Sequence, residues 1–177
     1  MLPFLKKILI FLSPFVILVA LEIYIDPFNY FSPEKDPRMH ELKNALARKK
    51  NTYLYRLIEY EQNPSGAIVL GDSRAQRLMP EFFSEVNGLR VLNLAAGAGS
   101  LQDVIKIFWD LTAKHKLDTV YIGISIEGYS GTLLKDRVSA ALDVKNSPAL
   151  YLTSKFTVEN TMLILKSKLF KQPVEVQ

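Results

Sequence analysis

Ala67-Ile-Val-Leu70 is a short apolar run rich in β-branched residues, set between the turn former Asn63-Pro-Ser-Gly66 and the polar corner Gly71-Asp72-Ser73-Arg74. Too short for a helix of its own, such a run is a buried interior strand, of the kind found in parallel sheets. Gly71 permits a sharp exit from the strand, and Asp72 or Ser73 can cap a helix that begins near Arg74. The corner therefore holds an acid, a hydroxyl and a guanidinium where backbone N–H groups converge, which suits a nucleophile. The plainer alternative is that Asp72 and Ser73 only cap a helix of an ordinary α/β domain.

Downstream, Arg90-Val-Leu-Asn-Leu94 reads as a second strand and Thr119-Val-Tyr-Ile-Gly-Ile-Ser125 as a third. Between them Ser100 is an N-cap with Asp103 three residues on, and Leu101, Val104, Ile105, Phe108 and Leu111 recur at the spacing of one helical face. Lys114, His115 and Lys116 then complement that helix's C-terminal dipole. A further helix is expected around Pro80, ending at Asn87-Gly88. The order β-α-β-α-β implies right-handed crossovers and a parallel sheet whose active edge lies at the strand C-termini, with the loop Glu127-Gly131 at that edge.

Gly71-Asp72-Ser73 between a strand and a helix, together with Asn51-Thr-Tyr-Leu-Tyr-Arg-Leu-Ile58 and Asn93-Leu-Ala-Ala-Gly97-Ala-Gly99-Ser100, resembles the SGNH (GDSL-type) hydrolases. The resemblance covers about residues 45 to 130 and is strongest to the membrane-anchored Gly-Asp-Ser-Arg branch of bacterial envelope proteins. It implies a partial flavodoxin-like three-layer α/β/α fold, with the Val91 and Val120 strands on either side of the Ile68 strand. It also implies Ser73 as nucleophile, flanked by Asp72 and Arg74, with its own N–H as one oxyanion donor and a loop N–H near Ala95 to Gly97 as a second. The family's usual glycine aligns nearer Ala95, so both Ala95 and Gly97 are candidates. The implied substrate is an acylated glycan or lipid of the envelope.

Two family parts have no counterpart. Ile122-Gly-Ile-Ser-Ile-Glu-Gly-Tyr129 contains no asparagine to supply a side-chain donor, and no Asp-x-x-His follows Ser125. Loss of the base alone costs on the order of 10²- to 10⁴-fold in rate. The chain is therefore expected to be a poor hydrolase, either as the N-terminal part of a longer protein or as a non-catalytic, membrane-tethered interaction module.

The remaining composition is mainly exclusionary. Without cysteine and with only two histidines, His40 and His115, neither a thiolate nor a histidine-rich metal site is available. Gly97-Ala-Gly99 is not a dinucleotide fingerprint, because its third glycine would fall on Gln102. No cofactor is expected. Twenty-two basic residues against 18 acidic ones form no clustered basic and aromatic face, so no nucleic-acid partner is expected.

At the N-terminus Lys6-Lys7 precede residues 8–21, which are apolar and uncharged, and the apolar character continues through Ile25. No small-x-small cleavage site lies near Ala20, so residues 1–25 read as an uncleaved signal anchor with the lipid bilayer as partner. The lysines favour a cytoplasmic N-terminus and an external domain. Residues 26–63 read as a juxtamembrane neck, in which Asp26-Pro-Phe-Asn-Tyr-Phe31 offers interfacial aromatics, followed by one kinked helix or two short ones broken at Asn51-Thr52. Residues 64–177 read as the α/β domain, incomplete at its C-terminus. No sustained period is visible from Leu133 to Pro148. In the last helix Val158, Met162, Leu165 and Leu169 form the apolar stripe, which is expected to cover surface left open by the sheet.

Overall fold

The computed structural model describes residues 2–78, 90–97, 99–123 and 136–170. Among these the chain is mixed α/β, with a three-stranded parallel sheet and an N-terminal apolar helix. It divides into two compact units, one made by helices from both ends of the chain and one spanning Asn51–Asn146. The grouping departs from the segments read off composition: residues 51–63 belong with the sheet, and the helices after Ser147 belong with the N-terminal ones. The expected helix around Pro80 and the loop Glu127-Gly131 lie outside the described residues.

In the first unit, α1 (Leu2–Ile25) is long and apolar enough to cross a membrane over Lys6–Ile25, 20 residues, or about 30 Å at the helical rise. It packs with α7 (Pro148–Thr153) and α8 (Lys155–Phe170), and α2 (Pro37–Lys50) packs on α8. The chain leaves α1 through a tight knot. Asp26 and Asn29 adopt positive φ (44° and 58°), a region that Asp and Asn tolerate better than other non-glycine residues. The buried Asp26 carboxylate accepts the N–H groups of Tyr30 (2.7 Å), Phe31 (2.9 Å) and Ser32 (3.2 Å), and the hydroxyl of Tyr151 (2.7 Å). Tyr30 stacks on Tyr151 at 4.3 Å, and Phe28 and Phe31 meet it edge-on. Burial first, and then the Asp26 charge, hold the Tyr151 phenol above its ordinary range. The segment expected to lie at the membrane interface is thus largely the binding partner of Tyr151, with Phe31 its exposed ring.

The second unit is built on β1 (Ala67–Gly71), with β2 (Val91–Asn93) on one side and β3 (Thr119–Gly123) on the other, all parallel, in the order the resemblance implied. Every residue of β1 is buried, whereas Ile122 on β3 is 57% exposed. The strand in the middle is apolar throughout because it has neighbours on both edges and cover on both faces. Helix α3 (Thr52–Gln62) starts afresh from α2, with Asn51 as its N-cap accepting from Leu54 N–H at 3.0 Å; this settles the choice in favour of two helices. The capping box expected at Ser100 and Asp103 opens α5 (Leu101–Thr112). Its buried face is Val104, Ile107 and Leu111 rather than the expected set, since Ile105 turns outward. The stretch read as aperiodic contains α6 (Ser139–Asn146), eight residues too few to show a helical period.

Helix α6 is held by charge. Lys145, almost fully buried, donates to Glu61 at 2.7 Å and to Asp110, so α3, α5 and α6 meet at one ammonium. Glu61 also takes His115 Nε2 (3.1 Å) and Lys114 (3.6 Å). Burial alone would raise the Glu61 carboxyl, but the bonds from Lys145 and His115 outweigh it and hold the group below its ordinary 4.5. A depressed carboxyl stabilises the fold above that value and loses its contribution as the pH falls through the lower, folded-state value.

Lys145→Met removes the buried cation that Asp110 and Glu61 share, leaving Glu61 with Lys114 at 3.6 Å and His115. In denaturant titrations of the detergent-solubilised full chain, followed by circular dichroism, it should cost about 3 kcal/mol at neutral pH. The deficit should shrink as the pH falls below 4.5 and Glu61 is neutralised.

Candidate functional site

The corner at the end of β1 is shaped by two glycines. Gly71 has φ +149°, and a Cβ there would collide with the Gly123 carbonyl oxygen and approach Ala75 Cβ to 2.7 Å; one on Gly123 would meet Ala75 Cβ at 2.9 Å. Only hydrogen at both positions lets α4 (Ser73–Gln76) sit directly on the ends of β1 and β3. Asp72, extended at φ −90°, donates its N–H to Gly123 O (3.1 Å), and its side chain accepts from Arg74 N–H (2.9 Å) as the N-cap. Asp72 is therefore the cap and Ser73 the first helical residue. Ser73 and Arg74 are exposed, and the Ser73 hydroxyl has no hydrogen-bond partner among the described residues.

Asn93, the last residue of β2, locks the corner from below. Its amide donates to the carbonyl of Ala75 in α4 (2.9 Å), which also accepts Leu78 N–H at 3.1 Å, and to that of Leu78 just beyond the helix (2.8 Å). Its Oδ1 accepts from Ala95 N–H (3.0 Å) and from Arg56 Nη1 (3.1 Å). Ala96 N–H in turn donates to Gly71 O (3.2 Å). The two candidate donor amides consequently differ. The N–H of buried Ala95 is used inside the loop, while exposed Gly97 lies beside Gln76 of α4 and its N–H has no acceptor among the described residues.

Tyr53 of α3 reaches the underside of the corner. Its hydroxyl is buried without a partner among the described residues, and a Cβ on Gly99 would lie 2.8 Å from it and 2.7 Å from Gly71 O. Burial chiefly, with the Asp103 charge next, holds this phenol above its ordinary range and keeps it protonated. Tyr53 and Arg56 stand in the Asn51 to Ile58 block that carried part of the family resemblance, and Asn93 stands in the other. Sequence reasoning gave none of them a role, because a side chain that serves backbone carbonyls leaves no periodic signal.

Neither histidine is spent on this corner. Ser100 follows Gly99 at the corner end of α5, and His115 lies beyond its other end, twelve residues and about 18 Å along the axis. There it bonds Glu61 and meets the Tyr60 ring edge-on at 5.2 Å. His40, exposed on α2, pairs with Asn44 at 2.9 Å. Among the described residues no group of three acidic, histidine or cysteine side chains could hold a metal. Compared with known proteins, the chain matches no family model, no curated protein and no solved structure.

The two loop glycines should respond differently to substitution. Gly71→Ala forces a positive φ and a backbone collision and should leave the protein unfolded or weakened by at least about 3 kcal/mol. Gly97→Ala, where the new methyl would stand an ordinary 3.5 Å from Gln76, should change stability by less than about 1 kcal/mol. Thermal melts of the two full-length variants check the contrast.

Proposed function

We propose that the chain is a membrane-anchored, SGNH-hydrolase-like protein of the serine esterase or O-acyltransferase lineage, with its second unit forming part of a flavodoxin-like three-layer α/β/α fold. Its substrate on this reading is an acylated glycan or lipid of the cell envelope, Ser73 carries the acyl group, and α1 spans the membrane with Lys6 and Lys7 on the cytoplasmic side. The observation that supports it is the position of Ser73: exposed at the C-terminal edge of the middle parallel strand, on the first residue of a helical turn, near a loop whose Gly97 N–H points to no acceptor among the described residues. Serine acyl transfer needs a nucleophile and N–H donors in this relation, plus a base to take the hydroxyl proton. The base is the part that neither His40 nor His115 supplies from its own hydrogen-bonded place, so turnover by these residues alone is expected to be slow.

A second reading, a non-catalytic membrane-tethered interaction module, is favoured by the engagement of His115 with Glu61 and Tyr60. Prolonged treatment of the full chain with a fluorophosphonate, mapped by peptide mass spectrometry, separates the two. The acyl-transfer reading predicts modification concentrated at Ser73 and abolished by Ser73→Ala. Equal, low modification of all exposed serines would favour the interaction module.

A further inference from the structure

The outer face of α4 carries two guanidiniums that the fold does not use. Arg74 and Arg77 are both exposed, and neither side chain has a hydrogen-bond or ion-pair partner among the described residues. The helix is held in place without them. Ala75 is its buried residue, Asp72 caps its start, and the carbonyls of Arg74 and Ala75 are taken by the N–H groups of Arg77 and Leu78 and by the Asn93 amide. A role for the arginines at unsatisfied helix-end carbonyls is therefore already filled. Like charges three residues apart on a helix also repel one another. Their placement side by side opposes folding unless an anion joins them.

Helical spacing brings these charges to the serine. Arg77 follows Ser73 by four residues and Arg74 by three, so it neighbours both, at about 5–6 Å between Cβ atoms. It keeps helical backbone angles (φ −81°, ψ −10°), so the relation holds to the end of the short helix. Gln76, one residue earlier, places its Oε1 3.5 Å from where a Cβ on Gly97 would stand. The same side of α4 thus meets the loop whose Gly97 N–H has no acceptor among the described residues. Ser73, Arg77 and Gly97 border one surface at the C-terminal edge of the sheet, with Arg74 beside it. The acid nearest in sequence, Asp72, is buried, accepts the Arg74 N–H, and forms no ion pair with either guanidinium.

The geometry points to a phosphate subsite beside Ser73, formed by Arg74 and Arg77, so that the ester acted on at this corner carries a phosphate next to its acyl group. One bidentate guanidinium already saturates a carboxylate, whereas a phosphate offers oxygens to two at once. The subsite does what the loop N–H does not. It holds the non-reacting part of the substrate, so that the ester carbonyl meets the Ser73 hydroxyl with its translational and rotational freedom already reduced. The inference rests on the acyl-transfer reading of Ser73 and deepens it, narrowing an acylated glycan or lipid to a phosphate-bearing one.

The probe is glycerol 3-phosphate, added to the detergent-solubilised full chain at constant ionic strength. Phenylglyoxal modifies exposed guanidiniums, and peptide mass spectrometry reads each arginine separately. The phosphate should slow modification of Arg74 and Arg77 at least about threefold. Arg90, also exposed but at the start of β2 on the opposite edge of the sheet, should be unaffected. Glycerol should protect none of them, and acetate less than the phosphate does. Fluorophosphonate modification of Ser73 should also be slowed by the phosphate, at least about threefold in the native chain and less than about twofold in Arg77→Gln. No protection at 74 and 77, or equal protection of Arg90, overturns the subsite and leaves the acyl-transfer reading to stand on selective modification of Ser73. Acetate as effective as the phosphate overturns the phosphate assignment. Protection of the arginines with no effect at Ser73, or slowing that survives Arg77→Gln, separates the charges from the serine and also overturns it. If Ser73 is not selectively modified, the acyl-transfer reading fails and the substrate assignment falls with it.

Discussion

The close approach of two backbones at Gly71 and Gly123 governs the second unit. A parallel strand can be buried along its whole length only if both of its edges are paired, and β1 meets that condition through β2 and β3. At its last residue the pairing persists, but the chain must also turn into α4, and the space for this exists because neither glycine has a side chain to fill it. The exposure of Ser73, the capping role of Asp72 and the closeness of Ala75 to the sheet all follow from this one contact. Asn93 completes the arrangement by tying its amide to carbonyls within and just after α4. The corner is thus preorganised by backbone and amide groups, with little dependence on apolar packing around the serine itself.

The first unit depends on a different constraint, the burial of polar groups next to an apolar helix. Asp26 turns a carboxylate inward and satisfies it with three backbone N–H groups and the Tyr151 hydroxyl. Lys43, also buried, is held by Glu34 at 2.7 Å and Asn29 at 3.1 Å. Bonds to charged groups of this kind contribute about 1.5–3 kcal/mol each when both partners are present, and leave a larger deficit when one is removed. They join the residues that follow α1 to a tyrosine more than a hundred positions later in the chain. Such a pairing cannot be read from local sequence.

What was legible in the sequence was whatever rests on local rules. The apolar run before Gly71, the capping box at Ser100, the interruption at Asn51 and the uncharged span of α1 each carry a short-range signature, and the structure places an element at each. The misreadings share a cause in long-range context. The face of α8 was assigned by apolar spacing, but its buried side is Thr157, Asn160, Thr161 and Ile164, set by what α1, α2 and α7 offer it. His115 stands just past the end of α5 as its spacing implied, but its tie to Glu61, 54 residues away in sequence, had no local sign. At the corner, Ser73 was found by its motif, while Tyr53, Arg56 and Asn93 act on backbone groups of other segments and were invisible until the chain was folded.

The central claim, that β1 is the fixed element from which the Ser73 corner is built, is tested most directly by native-state amide hydrogen exchange on the full chain. The account predicts that the amides of β1 exchange most slowly in residues 51–146, and that those of Thr119–Gly123, on the strand with the exposed Ile122, exchange measurably faster. Exchange of β1 as fast as that of the loop around Gly97 would contradict it.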